Sequence, residues 1–216
     1  MSEPELDPRI AMVRDGYDAI GRRYHDWSHS GSTRLRFARE LTDRLAPGST
    51  LVDLGCGPGD PATRLLSERH LVVGVDLSAV QLKIARQLAP QALLVRADIS
   101  RFAIRPAALD GVASFYALGH LPPDRHRPLL EAVARWLRPG GVLVTSAPLS
   151  AGEGVEDGWL GVPMFFGGVG VDATVAAATG AGLVVERAEH VVETDSLAED
   201  GSPEQFLWLV ASRPET

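Results

Sequence analysis

Glycines and aspartates at short spacing are the residues of this sequence that could bind a ligand. Gly55, Gly57 and Gly59 follow an apolar run in the stretch LVDLGCGPGD. Glycine costs a structured segment roughly 0.5–1 kcal/mol relative to alanine, so three of them indicate a sharp turn or a group lying against the backbone. Asp76 and Asp98 end the next two apolar runs. The pattern therefore predicts a site at a glycine-rich turn bordered by carboxylates.

The residue at position 60 limits the type of ligand. A dinucleotide-binding turn has the pattern G-x-G-x-x-G, and its third glycine would fall at Asp60. A carboxylate there would repel a pyrophosphate, so we expect an adenosine without phosphates. Asp76 offers two acceptor oxygens to ribose hydroxyls, Asp98 can accept from the adenine amino group, and Ile99 can pack on the ring. An oxidoreductase that binds a pyridine dinucleotide is the alternative.

Apolar periodicity indicates which elements position these residues. Leading helices are expected over 8–27 and 33–45. From residue 50 short apolar strands alternate with helices, which is typical of a parallel sheet covered on both faces. The expected strands are 50–55, 70–76, 92–98, 109–116, 141–147, 182–193 and 205–212, and the expected later helices are 60–69, 78–89, 124–137 and 172–181. The last two strands have no helix between them, so we expect them to be antiparallel.

Length and composition restrict the class of protein. The chain has 216 residues, 45% of them apolar, which favours one globular domain. The net charge of −7 disfavours a nucleic-acid partner, and the single Cys56 excludes an internal disulfide and a cysteine-based zinc site. We expect no metal, no membrane association and a cytoplasmic location, because the sequence has no long apolar run and no signal-peptide pattern. The oligomeric state is not predicted.

The chain resembles a known enzyme family over roughly residues 10–212. The stretches that carry the resemblance are VDLGCGPGD, GVDLS, RADIS, LDGVASFYALGHLP, LRPGG and FLWLVASR, in this order. Together they are similar to class I S-adenosylmethionine-dependent methyltransferases. The resemblance implies an α/β, Rossmann-like three-layer sandwich with strand order 3-2-1-4-5-7-6 and an antiparallel strand seven. It also implies N-terminal lid helices over 1–46 and a cofactor-binding core over 47–216.

The resemblance implies S-adenosyl-L-methionine as cofactor and S-adenosyl-L-homocysteine as product. The glycine turn would hold the methionine part, where side chains at all three glycines would block it. Asp53 would secure the turn or face the ammonium group, with a purely structural role as the alternative. Tyr24 lies in a stretch similar to Y-D-x-I-x-x-x-Y and is expected to contact the cofactor. The predicted cofactor-binding residues are Tyr24, Asp53, Gly55, Cys56, Gly57, Gly59, Asp76, Leu77, Asp98, Ile99 and Phe115.

The acceptor side of the site is predicted from a histidine and an apolar segment. His120 follows the fourth strand, and a histidine that titrates near neutral pH suits a general base, with a loop histidine that only packs as the alternative. The stretch 148–170 is expected to be a long loop that covers the acceptor. His25 and His29 could reach over the pocket or lie exposed. The predicted substrate-binding residues are Tyr17, Tyr116, His120, Trp159, Met164 and Phe165.

The expected function is methyl transfer to a small, partly apolar metabolite at oxygen, nitrogen or sulfur, by in-line displacement. Enzymes that methylate amino groups of nucleobases carry a [D/N/S]-P-P-[Y/F/W] tetrad after the fourth strand. This sequence has FYALG there, which argues against DNA or RNA substrates. The alternatives are a protein methyltransferase of the same fold and a protein that binds the cofactor without catalysis.

Overall fold

The structure is a computed structural model that describes residues 6–28, 32–197 and 203–215. Its first helices are α1 (Pro8–Ile20), α2 (Arg22–Ser28) and α3 (Ser32–Arg44). The sequence predicted a single helix over 8–27, but the chain turns at Gly21, whose φ is 56°. Glycine adopts this left-handed conformation at no steric cost, which is why the helix divides there.

The remaining elements alternate between strands and helices. The later helices are α4 (Ala62–Ser67), α5 (Ala79–Leu88), α6 (Pro123–Trp136) and α7 (Val171–Gly180). The strands are β1 (Thr50–Leu54), β2 (Leu71–Asp76), β3 (Leu93–Arg96), β4 (Leu109–Ser114), β5 (Leu137–Pro148), β6 (Ala151–Glu156), β7 (Met164–Val169), β8 (Val184–Leu197) and β9 (Pro203–Ser212). Most predicted elements are present, with their ends shifted by a few residues.

Seven of these strands form the central sheet, in the order β3-β2-β1-β4-β5-β9-β8. The strands from β3 to β5 are parallel, whereas β9 is antiparallel to both β5 and β8. Numbered within the sheet alone, the order is 3-2-1-4-5-7-6. The predicted α/β fold class, strand order and antiparallel final pair are confirmed.

The segment predicted as a loop over 148–170 is a β-hairpin instead. Strands β6 and β7 pair antiparallel, from Ala151 opposite Val169 to Glu156 opposite Met164. Glycines hide this hairpin in the sequence, because they leave no side chains to show an alternating pattern. At Gly168 the backbones approach so closely that a Cβ would lie 2.5 Å from the Ser150 carbonyl oxygen.

Helices cover both faces of the sheet, and α1 lies across the carboxyl ends of its strands. On one face Phe37 of α3 stacks on Trp208 of β9, with ring centroids 4.0 Å apart. Hydrogen bonds hold α1 to the start of α5: the Ser78 hydroxyl donates to Asp18, and the Gln81 amide donates to the Gly21 carbonyl oxygen. The strand ends are therefore covered rather than open.

In the part of the chain that is described, no helix combines the length and the apolar character needed to span a bilayer.

Candidate functional site

The carboxyl ends of the parallel strands surround a narrow cleft beneath α1. This inner cleft has a volume of about 80 Å³. Eight of the predicted cofactor-binding residues line it: Tyr24, Gly55, Gly57, Asp76, Leu77, Asp98, Ile99 and Phe115. The fold thus brings together residues that are 74 positions apart along the chain, from Tyr24 to Asp98.

The three glycines of the turn have different reasons for lacking a side chain. All three have positive φ, at 74°, 54° and 77° for Gly55, Gly57 and Gly59. A Cβ at Gly55 would collide with Ala117, and one at Gly59 would lie 3.0 Å from the Cβ of Ala89. Of the three, only Gly57 has room for a Cβ, which would make an ordinary van der Waals contact of 3.6 Å with a Tyr24 ring atom. The prediction that all three leave room for a ligand is therefore wrong. Gly59 does not line the cleft at all.

Asp76 is fixed in the cleft by two backbone donors. Its carboxylate accepts from the N–H of Gly57 and from the N–H of Ser78, each at 2.8 Å and each on a different oxygen. A carboxylate has about four acceptor sites, so two remain for a ligand. The oxygen atoms are thus held in place before any ligand arrives. Asp98 is held similarly, by the N–H of Ser100 at 2.8 Å.

Asp53 and Cys56 line an extension of the cleft, of about 20 Å³, below the glycine turn. Asp53 is 2% exposed and accepts a hydrogen bond of 2.6 Å from the Thr63 hydroxyl of α4. Burial raises the pKa of Asp53 to about 6, against the opposing effect of this hydrogen bond. Burial also raises the pKa of the Cys56 thiol, so the thiol is protonated at neutral pH. Asp53 both secures the turn and borders the extension.

Arg34 is a site residue that the sequence reasoning missed. It lines the extension together with Asp53 and Tyr24. Its Nη2 donates to the Tyr24 hydroxyl at 3.3 Å, its guanidinium lies 4.6 Å from the Tyr116 ring centroid, and its Nε has no hydrogen-bond partner within the described residues. Nothing local distinguishes it from the other arginines of α3. Only the tertiary fold shows that it faces the site.

Asp60 has a structural role at the end of the glycine turn. Its carboxylate accepts from Nε of Arg64 at 2.7 Å and lies 3.2 Å from Nε2 of His25. His25 therefore ties α2 to the turn. It neither lines the cleft or its extension nor lies exposed, so both alternatives offered for it are wrong. His29 lies outside the described residues.

A larger cavity, of about 960 Å³, lies between the leading helices and the β6–β7 hairpin. This outer cavity meets the inner cleft at four shared residues, Tyr17, Tyr24, Tyr116 and His120. It is also lined by Trp159, so four of the predicted substrate-binding residues are placed there by the structure. The two cavities meet where a donor and an acceptor would have to face each other.

Met164 and Phe165 do not line the outer cavity, which corrects two predicted substrate contacts. Met164 is fully buried against α1, where a Cβ at Gly16 would lie 2.6 Å from its Cε. Phe165 is 3% exposed and points to the opposite side of β7 from Phe166, because successive strand side chains alternate. Phe166 lines the cavity in its place.

His120 bridges the hairpin and α1. Its Nδ1 lies 3.1 Å from the carbonyl oxygen of Phe165, which can only accept, so Nδ1 carries the proton. Its Nε2 then accepts from the Tyr17 hydroxyl at 2.8 Å. Burial lowers the pKa of His120 to about 4. The imidazole is neutral at physiological pH, and the prediction of a histidine that titrates near pH 7 is wrong.

Comparison with known proteins shows what kind of domain holds these cavities. A family model described as a methyltransferase domain matches residues 51–141, which include the glycine turn, Asp76, Asp98 and His120. Residues 51–141 form a class I methyltransferase domain. The family predicted from the sequence is confirmed.

Curated relatives of the methyltransferase domain differ in length from this chain. The trans-aconitate 2-methyltransferase of Azoarcus sp. (strain BH72) is 45% identical over 125 residues, which are 56% of this chain and 48% of that protein. The 27-O-demethylrifamycin SV methyltransferase of Amycolatopsis mediterranei (strain S699) is 31% identical over 159 residues, 63% of this chain and 58% of that protein. The chain spans about half the length of the curated relatives it matches.

Solved structures share the fold of the methyltransferase domain over almost the whole chain. The 1,6-didemethyltoxoflavin-N1-methyltransferase of Burkholderia thailandensis, solved with its substrate and S-adenosylhomocysteine, has a TM-score of 0.72 at 18% identity. That alignment covers 99% of this chain and 93% of the other. At this identity the likeness shows the fold alone.

Proposed function

We propose that the chain is an S-adenosylmethionine-dependent methyltransferase that transfers a methyl group to a small, partly apolar metabolite. The observation that carries the proposal is the junction of the two cavities. A cofactor in the inner cleft and an acceptor in the outer cavity would meet beside Tyr17, Tyr24, Tyr116 and His120. Such a junction provides the in-line approach that methyl transfer needs.

The inner cleft suits the adenosine part of the cofactor. Asp76 has acceptor sites left for the two ribose hydroxyls, and its oxygens are already fixed by Gly57 and Ser78. Asp98 accepts from the adenine amino group, and Ile99, Leu77 and Phe115 supply the apolar surface around the ring.

The extension below the turn suits the methionine part. An amino acid group carries an ammonium and a carboxylate, and the extension is lined by the carboxylates of Asp53 and Asp60 and by the guanidinium of Arg34. Asp53 would face the ammonium and Arg34 the carboxylate, with the unpartnered Nε of Arg34 available to donate. Gly57 leaves room for the chain between them. The charges therefore match this end of the cofactor.

The cleft must widen when the cofactor binds. Pockets for drug-sized ligands measure about 300–1,000 Å³, well above the 80 Å³ of the inner cleft. The covering element is α1, held at its end by Ser78 and Gln81. We assign α1 and α2 as the lid that the sequence predicted within residues 1–46, and we expect them to move outward as the cofactor enters.

The sulfonium of the cofactor supplies an activated methyl group, so the protein chiefly positions the reactants. The apolar rings of Tyr24, Phe115 and Tyr116 favour a cationic sulfur, at about 0.5–2 kcal/mol each. His120 is neutral and keeps a lone pair on Nε2, towards the Tyr17 hydroxyl. With a pKa of about 4 the imidazole is a weak base at neutral pH, so the role we propose for His120 is to hold the Tyr17 hydroxyl beside the acceptor.

Calorimetry with S-adenosylhomocysteine tests the cofactor half of the proposal. We expect saturable binding, whereas heat with NADH alone would favour the dinucleotide alternative. Incubation with methyl-labelled cofactor and a metabolite extract tests the transfer half, because the labelled product identifies the acceptor. Binding without any labelled product would favour a protein that holds the cofactor without catalysis, and label only in protein would favour a protein methyltransferase.

A further inference from the structure

We propose that the outer cavity accepts an amine with a flat, apolar body and rejects polycarboxylates. This inference rests on the proposed methyl transfer and narrows its acceptor to an amine. The amine binds in its ammonium form and loses one proton to solvent before the neutral nitrogen attacks the methyl group. It separates the chain from the relatives named for trans-aconitate, which is a tricarboxylate. Three observations on the wall of the outer cavity support it.

The first observation is the aromatic surface of the outer cavity. The rings that line it are Tyr17, Tyr24, Trp27, Tyr116, Trp159 and Phe166. Trp159 lies at the centre of this group, with ring centroids at 5.6 Å from Tyr17, 5.9 Å from Trp27 and 5.7 Å from Phe166. Aromatic faces attract flat apolar groups and cations alike. The ring faces themselves, which carry negative partial charge, do not attract a carboxylate.

The second observation is the shortage of positive charge. Within the described residues, Arg34 is the one lysine or arginine that lines the outer cavity, and the proposed function assigns it to the cofactor. Its guanidinium already contacts the Tyr24 hydroxyl and the Tyr116 ring. His120 is neutral and adds no charge. A tricarboxylate would therefore bring carboxylates that have no cationic partner, and burying an unpaired charge costs several kcal/mol.

The third observation is the negative charge on the cavity wall. Four of the lining residues are glutamates, namely Glu153, Glu156, Glu193 and Glu204. Glu193 is 3% exposed and accepts from the Tyr116 hydroxyl at 2.5 Å, and Glu153 pairs with Arg9 at 3.0 Å. Among the described lining residues glutamates thus outnumber arginines by four to one, so the wall disfavours an anion and favours an ammonium group.

A matched pair of probes tests this selectivity. Tryptamine and indole-3-acetate share one ring system and carry opposite side-chain charges, and trans-aconitate serves as the tricarboxylate. Each is titrated by calorimetry into protein saturated with S-adenosylhomocysteine. We expect tryptamine to bind at least about tenfold more tightly than indole-3-acetate, and trans-aconitate to bind most weakly. The difference should shrink as salt is added, because exposed charges are screened.

Variants of the wall locate the source of the selectivity. The double variant Glu156→Gln, Glu204→Gln removes two charges while keeping the side-chain shapes. We expect the ratio of the tryptamine and indole-3-acetate affinities to fall to about threefold, with unchanged affinity for S-adenosylhomocysteine. Glu68→Gln is the matched control, because Glu68 is exposed and lies outside the cavity. It should leave the ratio unchanged.

Equal or tighter binding of indole-3-acetate or trans-aconitate overturns the inference, and so does the absence of tryptamine binding. A failure of the proposed function looks different, because S-adenosylhomocysteine itself would then give no heat. In that case calorimetric titration of the two indole probes into the protein without S-adenosylhomocysteine still measures the preference between them.

Discussion

The inner cleft and the outer cavity share four residues but are built in different ways. The inner cleft is formed by strand ends and the turn after β1, where backbone N–H groups fix Asp76 and Asp98. The outer cavity is formed by side chains from α1, α2, β7 and β8 that are far apart in sequence. Backbone geometry therefore sets the shape of the inner cleft, whereas the packing of added elements sets the shape of the outer cavity.

The two neighbouring phenylalanines of β7 should separate folding from acceptor binding. Phe165→Ala removes a buried ring and should lower the free energy of unfolding by about 3–5 kcal/mol. Phe166→Ala removes a half-buried ring from the cavity wall, so it should cost much less stability and change tryptamine binding instead. Urea denaturation of both variants measures the difference. If both variants lost the same free energy of unfolding, Phe166 would be a core residue like Phe165 and not part of a ligand-binding wall.

Removal of the Asp76 carboxylate should disable the inner cleft alone. Asp76→Ala should weaken binding of S-adenosylhomocysteine by about 100-fold, because two charge-assisted hydrogen bonds to ribose are worth roughly 3 kcal/mol together. Asp43→Ala, at an exposed carboxylate of α3, is the control. Calorimetry gives the affinities, and a thermal melt checks that the glycine turn survives. Unchanged affinity would contradict the ribose assignment.

Substitution of Arg34 should weaken only the binding of the methionine end of the cofactor. Arg34→Met should weaken binding of S-adenosylhomocysteine by about tenfold, through loss of one charged contact. Methylthioadenosine lacks the amino acid carboxylate, so its affinity should stay the same. Calorimetry with both ligands makes this comparison within one variant. A similar loss for both ligands would mean that Arg34 acts through the fold.

The smallest expected effect is a pH dependence at the junction of the two cavities. Burial lowers the pKa of His120 to about 4, below the usual 6.5, so the unfolded chain binds more protons between these values. The contribution of His120 to stability is therefore complete above pH 6.5 and lost as pH falls towards 4. We expect a loss of roughly 1–2 kcal/mol, since the side chain is partly exposed.

The free energy of unfolding of the native protein, relative to that of the variant His120→Asn, should fall as pH falls from 6.5 towards 4. Asp53 titrates with the opposite sign and is present in both proteins, so the difference between their unfolding curves isolates His120. Parallel curves would show that the histidine is not buried as the structure places it.

The sequence predicted the fold and the inner cleft well because their signals are local. Each strand end, and the glycine turn, is recognisable within a short stretch of sequence. The alternation of strands and helices along the chain then indicates a single fold. Even there, Gly55 and Gly59 were expected to leave room for a ligand, whereas they leave room for Ala117 and Ala89. These contacts come from elements distant in the chain, which the sequence does not show. A glycine requirement is visible in a sequence, but its cause is not.

The outer cavity was predicted less accurately for a physical reason. The choice between Phe165 and Phe166 depends on the register of a glycine-rich hairpin that has almost no alternating pattern. Arg34 is one of several arginines in α3, and its orientation follows from the docking of that helix. The lowered pKa of His120 results from burial, which neighbours on α1 and β7 create together.

Ser78 makes hydrogen bonds to two acidic residues, one in the inner cleft and one in the helix that covers it. Its N–H holds the carboxylate assigned to the ribose, and its hydroxyl holds Asp18 at the underside of α1. Ser78 therefore joins the proposed ribose site to the helix that covers it. Any outward displacement of α1 would break a contact of the same residue that fixes Asp76.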